Sequence, residues 1–435
     1  MVTSEEILKA LSVIIDPDFK KDIVSLGFVK NIKIDGSHAT FEIQLTTPAC
    51  PVKEQFKRSA EEAVMAINGI DGVTVNMTAQ EIKRNPFENN SGLEKVKAVI
   101  AVSSCKGGVG KSTVAASIAS EVARRGFKVG LLDADIFGPS VPTLFNLHDV
   151  KIKDTPEGRM LPFEVNNLKV MSFGFWLGDE PAVMRGPMVS NYIKNLLHGV
   201  EWGELDYLFI DMPPGTGDIQ LTITQSIQLD GAVIVTTPQV LSLVDVGKGI
   251  MMFDKVNVPV LGVVENMAYF ICDGCDKKHF IFGGDAAEAL RQRFGIELLT
   301  RLPISTDYNI TFENYEKNDL TSQLTDDVIK AFGKNTVKGE AKPEVSFNSE
   351  KITLKWDDGE TLEVKNFDLR ASCRCANCIH EITGKPLLDV EGIPRCIHAL
   401  EVKSVGNYAI SVKWSDGHSS GLFSYPAIRT LVEQK

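Results

Sequence analysis

No apolar run in the chain approaches the ~18–20 residues of a membrane-spanning helix, so no transmembrane anchor is expected. Positive charge is in deficit. Lys and Arg number 46 against 57 Asp and Glu, a net charge of −11, which argues against a general nucleic-acid binder though not against a local patch. The start, Met1-Val2-Thr3-Ser4-Glu5-Glu6, lacks a signal-peptide pattern and an Arg/Ser-rich transit segment. Residence in the cytoplasm is the expectation, and a processed organellar form would read the same way. The first glycine-rich loop carries no G-x-G-x-x-G, which disfavours a dinucleotide fold. What remains is a soluble-type composition over 435 residues, enough for roughly two to four domains.

The chain is organised around Ser103-Ser104-Cys105-Lys106-Gly107-Gly108-Val109-Gly110-Lys111-Ser112-Thr113. The apolar run Val99–Val102 enters it and an alanine-rich helical stretch from Thr113 to Arg125 leaves it. Strand, glycine loop, helix is the context of a phosphate loop. Glycines let backbone N–H groups close around an anion, and the helix aims its positive dipole end at the phosphates. Lys111 is placed for the β- and γ-phosphates of ATP and the Ser112 hydroxyl for Mg²⁺. The residues expected to cradle the nucleotide run from Cys105 to Thr113. Cys105 stands where G-x-x-x-x-G-K-[ST] has its first glycine.

Residues 96–333 alternate apolar strands with helices, which predicts an α/β domain with a mostly parallel sheet wrapped by helices. Ligands gather beyond the carboxyl ends of such strands. Lys128–Leu132 leads into Asp133-Ala134-Asp135, and Tyr207–Ile210 into Asp211-Met212-Pro213-Pro214-Gly215-Thr216-Gly217-Asp218. Asp211 is placed to hold Mg²⁺ through water, Asp133 to support the metal shell, and Asp135 to polarise the attacking water. Gly215–Asp218 has the look of a second switch. Val258–Val264 leads into Glu265-Asn266-Met267, and then Cys272-Asp273-Gly274-Cys275 follows. C-x-x-C lets two thiolates reach one metal or cluster, but it is half a site. His279 is a candidate further ligand, and a redox dithiol is the other option.

Residues 1–80 read as a small α+β domain: a helix over Ser4–Ile15, strands at Ile23–Val29 and Ala39–Leu45, a helix over Val52–Ala66 and a strand at Val73–Met77. Cys50 lies just ahead of the second helix, where exposed N–H groups would lower its pKa. Residues 81–95 and 334–350 have linker composition. Residues 351–435 open with a hairpin, Lys351–Trp356 and Thr361–Val364 around Asp357-Asp358-Gly359, and continue to Cys373, Cys375 and Cys378. Three cysteines in six residues converge easily on one ion. His418 is a fourth candidate, Zn²⁺ suits such a Cys₃His set, and His380, Cys396 and His398 compete.

Several of these motifs carry family resemblances. The second loop lysine, Lys106, resembles the deviant Walker A of the MinD/ParA/nitrogenase-iron-protein class. There the extra lysine reaches the partner subunit's nucleotide, implying a face-to-face homodimer in which Lys106, Lys111 and Asp135 serve hydrolysis. Asn266 resembles the adenine-contacting asparagine of that class. Together with Asp-Met-Pro-Pro-Gly-Thr-Gly-Asp, Thr-Thr-Pro-Gln and Glu-Asn-Met, the C-x-x-C resembles the Mrp/ApbC P-loop iron–sulfur carriers. In that family two chains bridge one [4Fe–4S] cluster, here through Cys272 and Cys275, and Cys105 fits the family pattern. Residues 1–80 resemble the SufT/PaaD-like assembly domain. The C-terminal unit resembles the N-terminal domain of γ-butyrobetaine hydroxylase-like proteins, where C-x-C-x-x-C and a later Trp-x-Asp-x-His bind zinc. The three-part order resembles the high-chlorophyll-fluorescence branch of plastid carriers.

The implied function is an ATP-binding carrier or scaffold that takes a labile [4Fe–4S] cluster from the assembly machinery and passes it to apo-proteins, with weak ATP hydrolysis. The alternatives are a MinD/ParA-type positioning ATPase without a cluster and a P-loop reductase like the nitrogenase iron protein. The short end Tyr425–Lys435 lacks the basic amphipathic face a positioning ATPase would use on a membrane.

Overall fold

The computed structural model describes residues 2–79, 92–148, 150–177, 186–283, 294–304, 319–337, 343–356, 359–375, 377–378, 386–405 and 409–433. Residues 81–91 and 338–342 of the expected linkers, the turn residues Asp357 and Asp358, and His380 lie outside the described residues. Two compact units are present, residues 1–85 with 322–339, and residues 86–321 with 340–435.

The first unit opens with α1 (Ser4–Leu11), fixed by a capping box between Thr3 and Glu6. It continues through β1 (Val29–Asp35), β2 (His38–Leu45), α2 (Lys53–Met65) and β3 (Gly72–Ala79). The sheet order is β1-β2-β3, antiparallel then parallel. The expected strand at Ile23–Val29 is instead a turn leading into β1. The Asp22 carboxylate accepts from the N–H groups of Val24 and Ser25 at 3.0 and 2.8 Å, and Gly27 takes φ +70°. Such a local side-chain bond competes with a strand ladder.

In the second unit the chain runs β4 (Val96–Ser103), α3 (Lys111–Arg124), β5 (Val129–Asp133), α4 (Val141–Leu144), β6 (Lys153–Asp154), β7 (Met160–Leu161), β8 (Phe163–Val165) and β9 (Leu168–Ser172). Then come α5 (Gly174–Leu177), α6 (Gly186–His198), β10 (Leu205–Asp211), α7 (Asp218–Ser226), β11 (Gly231–Thr236), α8 (Val240–Lys255), β12 (Val260–Ile271), β13 (Lys278–His279) and β14 (Leu298–Pro303). The large sheet has the order β13-β12-β11-β4-β10-β5-β9-β8, with β14 on β12. Its central pairs are parallel, and only β13 and β8 join antiparallel. Every residue of β5 and β11 is buried, the signature of a parallel sheet covered on both faces.

β12 is longer than the sequence suggests. It passes Glu265-Asn266-Met267, with Met267 at φ +56° and a register shift against β14, and runs on to Ile271. A single strand therefore leads from the nucleotide loop to the C-x-x-C turn.

Helix α9 (Asp319–Val337) lies mostly in the first unit. A Cβ on its Gly333 would come within 2.5 Å of Thr46 Oγ1, and Lys334 pairs with Asp18 at 3.5 Å. The C-terminal part holds β15 (Glu344–Phe347), β16 (Lys351–Lys355) and β17 (Thr361–Lys365) in one antiparallel sheet, then α10 (Asn366–Ala371). A second antiparallel sheet of β18 (Ala399–Val405), β19 (Ala409–Trp414) and β20 (Leu422–Ser424) precedes α11 (Tyr425–Glu433). Trp414, Ile352 and Leu354 form its core together with the three clustered cysteines. No helix among the described residues is long and apolar enough to cross a membrane.

Candidate functional site

The phosphate loop joins β4 to α3 at the carboxyl edge of the sheet. Gly108 and Gly110 take φ +78° and +81°, a conformation that strains any side chain. A Cβ on Gly110 would also collide with the Asn266 amide. That amide donates to the Val109 carbonyl at 2.9 Å, which ties β12 directly to the loop. Lys106, Gly107 and Gly108 are exposed. Cys105 is half-buried, with its sulfur where a Cβ on Gly249 would sit, so the missing loop glycine is accommodated by one on α8.

Behind the loop lies a buried charge cluster. The Lys111 ammonium pairs with Asp211 Oδ1 and lies 3.2 Å from the Ser112 hydroxyl. Asp211 Oδ2 is buried without a hydrogen-bond partner. An orphaned carboxylate oxygen beside a phosphate loop suits a hydrated cation. Burial pushes the Asp211 carboxyl up, opposed by Lys111 and the Ser112 hydroxyl. Burial and the Asp211 charge push Asp133 up to about 7.

Asp133 has both oxygens occupied within the chain. They accept from the N–H groups of Asp135 and Val141, each at 3.1 Å, and from the Ser172 hydroxyl at 3.0 Å. It shapes the loop that presents Asp135, whose own carboxylate accepts from the Gly138 N–H at 3.2 Å. The structure thus gathers Lys111, Ser112, Asp133, Asp135 and Asp211 at one edge, with Asn266 on the loop's far flank.

The second cysteine pair stands at the far end of β12. Residues 272–277 form the turn of the β12–β13 hairpin, closed by Cys272 N–H donating to the Lys277 carbonyl at 3.0 Å. Cys272 is partly exposed and Cys275 exposed. The Gly274 backbone N–H, with help from Cys275, holds the Cys272 thiol below its ordinary range. Around the turn Phe270, Ile271, Phe280, Ile281 and Phe282 are exposed. His279 pairs with Phe270 in the hairpin and is exposed as well.

The third cluster is closed. The ligand atoms of Cys373, Cys375, Cys378 and His418 all lie within 4.8 Å of one another. His418 Nε2 is 3.2, 3.5 and 3.9 Å from the three sulfurs in turn. Ligands at ~2.0–2.3 Å around one tetrahedral ion sit roughly 3.3–3.8 Å apart, so the set fits zinc. The turn after β19, with Gly417 at φ +87°, swings His418 into place. Arg370 donates to Asp416 at 2.8 Å and lies 3.7 Å from Cys378 Sγ, Asp416 accepts from the His418 N–H at 2.9 Å, and the Ser420 hydroxyl donates to Cys375 Sγ at 3.2 Å. Asp416 is the aspartate of the Trp-x-Asp-x-His motif; sequence reasoning missed Arg370 and Ser420, which no spacing rule would have found. Of the competing ligands, Cys396 and His398 stay outside the cluster, where His398 meets the Cys396 carbonyl at 3.1 Å. Cys50 also departs from expectation. Burial pushes its thiol up and outweighs the Val52 N–H.

Residues 95–335 match the family described as NUBPL iron-transfer P-loop NTPase, residues 4–77 an iron–sulfur cluster assembly protein family, and residues 344–429 the N-terminal domain of γ-butyrobetaine hydroxylase-like proteins. The chloroplastic Fe-S cluster assembly factor HCF101 of Oryza sativa subsp. japonica is 42% identical over 431 residues, covering 95% of this chain and 80% of that protein. An iron-sulfur cluster carrier protein of Synechocystis is 43% identical over 309 residues, covering 70% of this chain and 88% of its own length. Among solved structures, a nucleotide-binding protein of Archaeoglobus fulgidus in complex with ADP is 41% identical, with a TM-score of 0.45, covering 56% of this chain and 90% of that one.

Proposed function

The chain belongs to the family of NUBPL iron-transfer P-loop NTPases, and on that premise we propose that it carries a labile [4Fe–4S] cluster to apo-proteins under the control of ATP. The observation that carries the reading is the continuity of β12. Its Asn266 holds the phosphate loop at 2.9 Å, and the strand ends at Ile271, immediately before Cys272. A change at the nucleotide thus has a direct mechanical route to the cargo thiols.

In this reading Lys111 and the loop N–H groups bind the phosphates, Asp135 orients the attacking water, and Lys106 reaches a second copy's nucleotide. Ser112 and the open oxygen of Asp211 hold Mg²⁺, which screens phosphate charge when bound. Cys272 and Cys275 of two copies supply the four thiolates that a cubane cluster takes. Hydrolysis is slow, as befits a conformational control. Cys373, Cys375, Cys378 and His418 hold a structural zinc. The thiols require a reducing compartment such as the cytoplasm, and all eight cysteines, each within the described residues, are free of disulfides.

Anaerobic reconstitution followed by transfer to a test apo-enzyme, with and without ATP, tests the reading. Absorbance near 400 nm, apo-enzyme activation and a nucleotide effect on its rate are expected. A reconstituted chain with no cluster removes the carrier reading and leaves a positioning ATPase.

A further inference from the structure

The loop that leaves β10 passes from the buried Asp211 through Met212-Pro213-Pro214-Gly215-Thr216-Gly217 before α7 begins at Asp218. The Gly215 N–H donates to the Ser104 carbonyl at 2.8 Å. A further tie comes from a side chain on α7. Gln220 is 1% exposed, and its Nε2 donates both to the Pro213 carbonyl and to the Ser103 hydroxyl, the latter at 3.2 Å.

One amide nitrogen therefore joins the last residue of β4 to the loop leaving β10. These are the two strands on which the phosphate loop and Asp211 stand. The Ser104 hydroxyl extends the link by donating to the Lys106 carbonyl at 2.9 Å. Gln220 Oε1, by contrast, is buried without a partner. An unmet buried acceptor is a penalty that persists only where the surrounding arrangement offsets it.

We propose that Gln220 is a positioning residue for nucleotide turnover. Its amide holds the Pro213–Gly217 loop against the phosphate loop so that the loop registers the third phosphate, and Oε1 gains its donor when the loop rearranges around ATP. This rests on the ATP reading above. ADP affinity depends on Lys111, Ser112 and the loop N–H groups, none of which Gln220 touches.

The test uses the full chain with Gln220→Met, which keeps side-chain length and removes both donors. Relative to the native chain, kcat for ATP falls about tenfold or more, while KM and the Kd for Mg-ADP stay within about twofold. Hydrogen exchange over residues 212–217 reads the same coupling without hydrolysis. The native chain protects these amides more with a non-hydrolysable ATP analogue than with ADP, and Gln220→Met loses the difference. Ser103→Ala, which removes one bond and keeps the Pro213 contact, shows a smaller loss and decides the matter if Gln220→Met does not fold. Native-like kcat and protection in the variants, or ATP and ADP affinities falling in step, would overturn the proposal. A native chain that binds ADP yet hydrolyses no ATP removes the ATPase reading alone, because the exchange comparison still decides on Gln220.

Discussion

Cys275 stands exposed in a hairpin turn, whereas Cys373, Cys375 and Cys378 are 3%, 6% and 2% exposed. Both groups contain a C-x-x-C, and what separates them is what surrounds the sulfurs. In the turn, a backbone N–H from Gly274 favours the Cys272 thiolate, and among the described residues only the thiols of Cys272 and Cys275 meet there; in the proposed reading a second copy supplies the rest. In the C-terminal cluster, burial pushes the thiols of Cys373 and Cys378 up, so the thiolates need a cation to persist. Four candidate ligand atoms, an arginine and a hydroxyl enclose the place such a cation would take. On the proposed function, ligand count and burial divide the cargo site from the permanent one.

Removing ligands breaks the comparison most strongly. Cys272→Ala or Cys275→Ala abolishes the roughly four Fe per dimer expected for a cubane and leaves one zinc per chain. Metal analysis with absorbance near 400 nm checks this. A variant that keeps full iron, or loses zinc too, would show that the two sites are not separate. The reverse change, Cys373→Ser, releases the zinc and melts the C-terminal part, because a structural zinc and its fold form together. Iron loading stays native, read by calorimetry alongside metal content.

A second-layer change sharpens the contrast. Arg370 is 6% exposed and binds Asp416 at 2.8 Å, and Asp416 fixes the His418 backbone. Arg370→Met leaves every ligand in place but removes the cation beside the sulfurs. Zinc release to a chelator should quicken by about 10–100-fold. Iron loss from the open turn, which has no such support among the described residues, stays as in the native chain. Equal acceleration at both sites would trace the effect to a general loosening of the fold.

The sequence made the local parts of this picture legible. The phosphate loop, Asp211 at a strand end and the Cys₃His set each depend on spacing within a short stretch plus one distant histidine. The parts that escaped depend on long-range placement. Gln220 meets Ser103 across 117 positions, and Arg370 meets Asp416 across 46. Neither pairing leaves a local pattern. The continuation of β12 to Ile271 escaped because the polar Glu265-Asn266 looks like a strand end, yet Glu265 is buried against Arg301 at 2.9 Å and lets the strand run on. At Ile23–Val29 the apolar residues predict a strand, but the Asp22 side chain imposes a turn.

The smallest expected effect concerns one hydroxyl. Ser420 Oγ donates to Cys375 Sγ at 3.2 Å. Burial works against the Cys375 thiolate, and the Ser420 hydroxyl, with the Asn377 N–H and the neighbouring thiols, overcomes it and holds the group below its ordinary range. A hydrogen bond to a thiolate also withdraws charge from the sulfur and so weakens its bond to the metal slightly while fixing its direction. For a closed site the second effect dominates, since release needs a ligand to swing away. Ser420→Ala should therefore speed zinc release by about two- to tenfold, the equivalent of ~0.5–1.5 kcal/mol for one hydrogen bond. Fold stability and iron loading stay native, and Ser420→Thr, which keeps the donor, restores the slow release. If Ser420→Ala slows release instead, charge withdrawal outweighs orientation, and the permanence of the site rests on its four ligands and Arg370 alone.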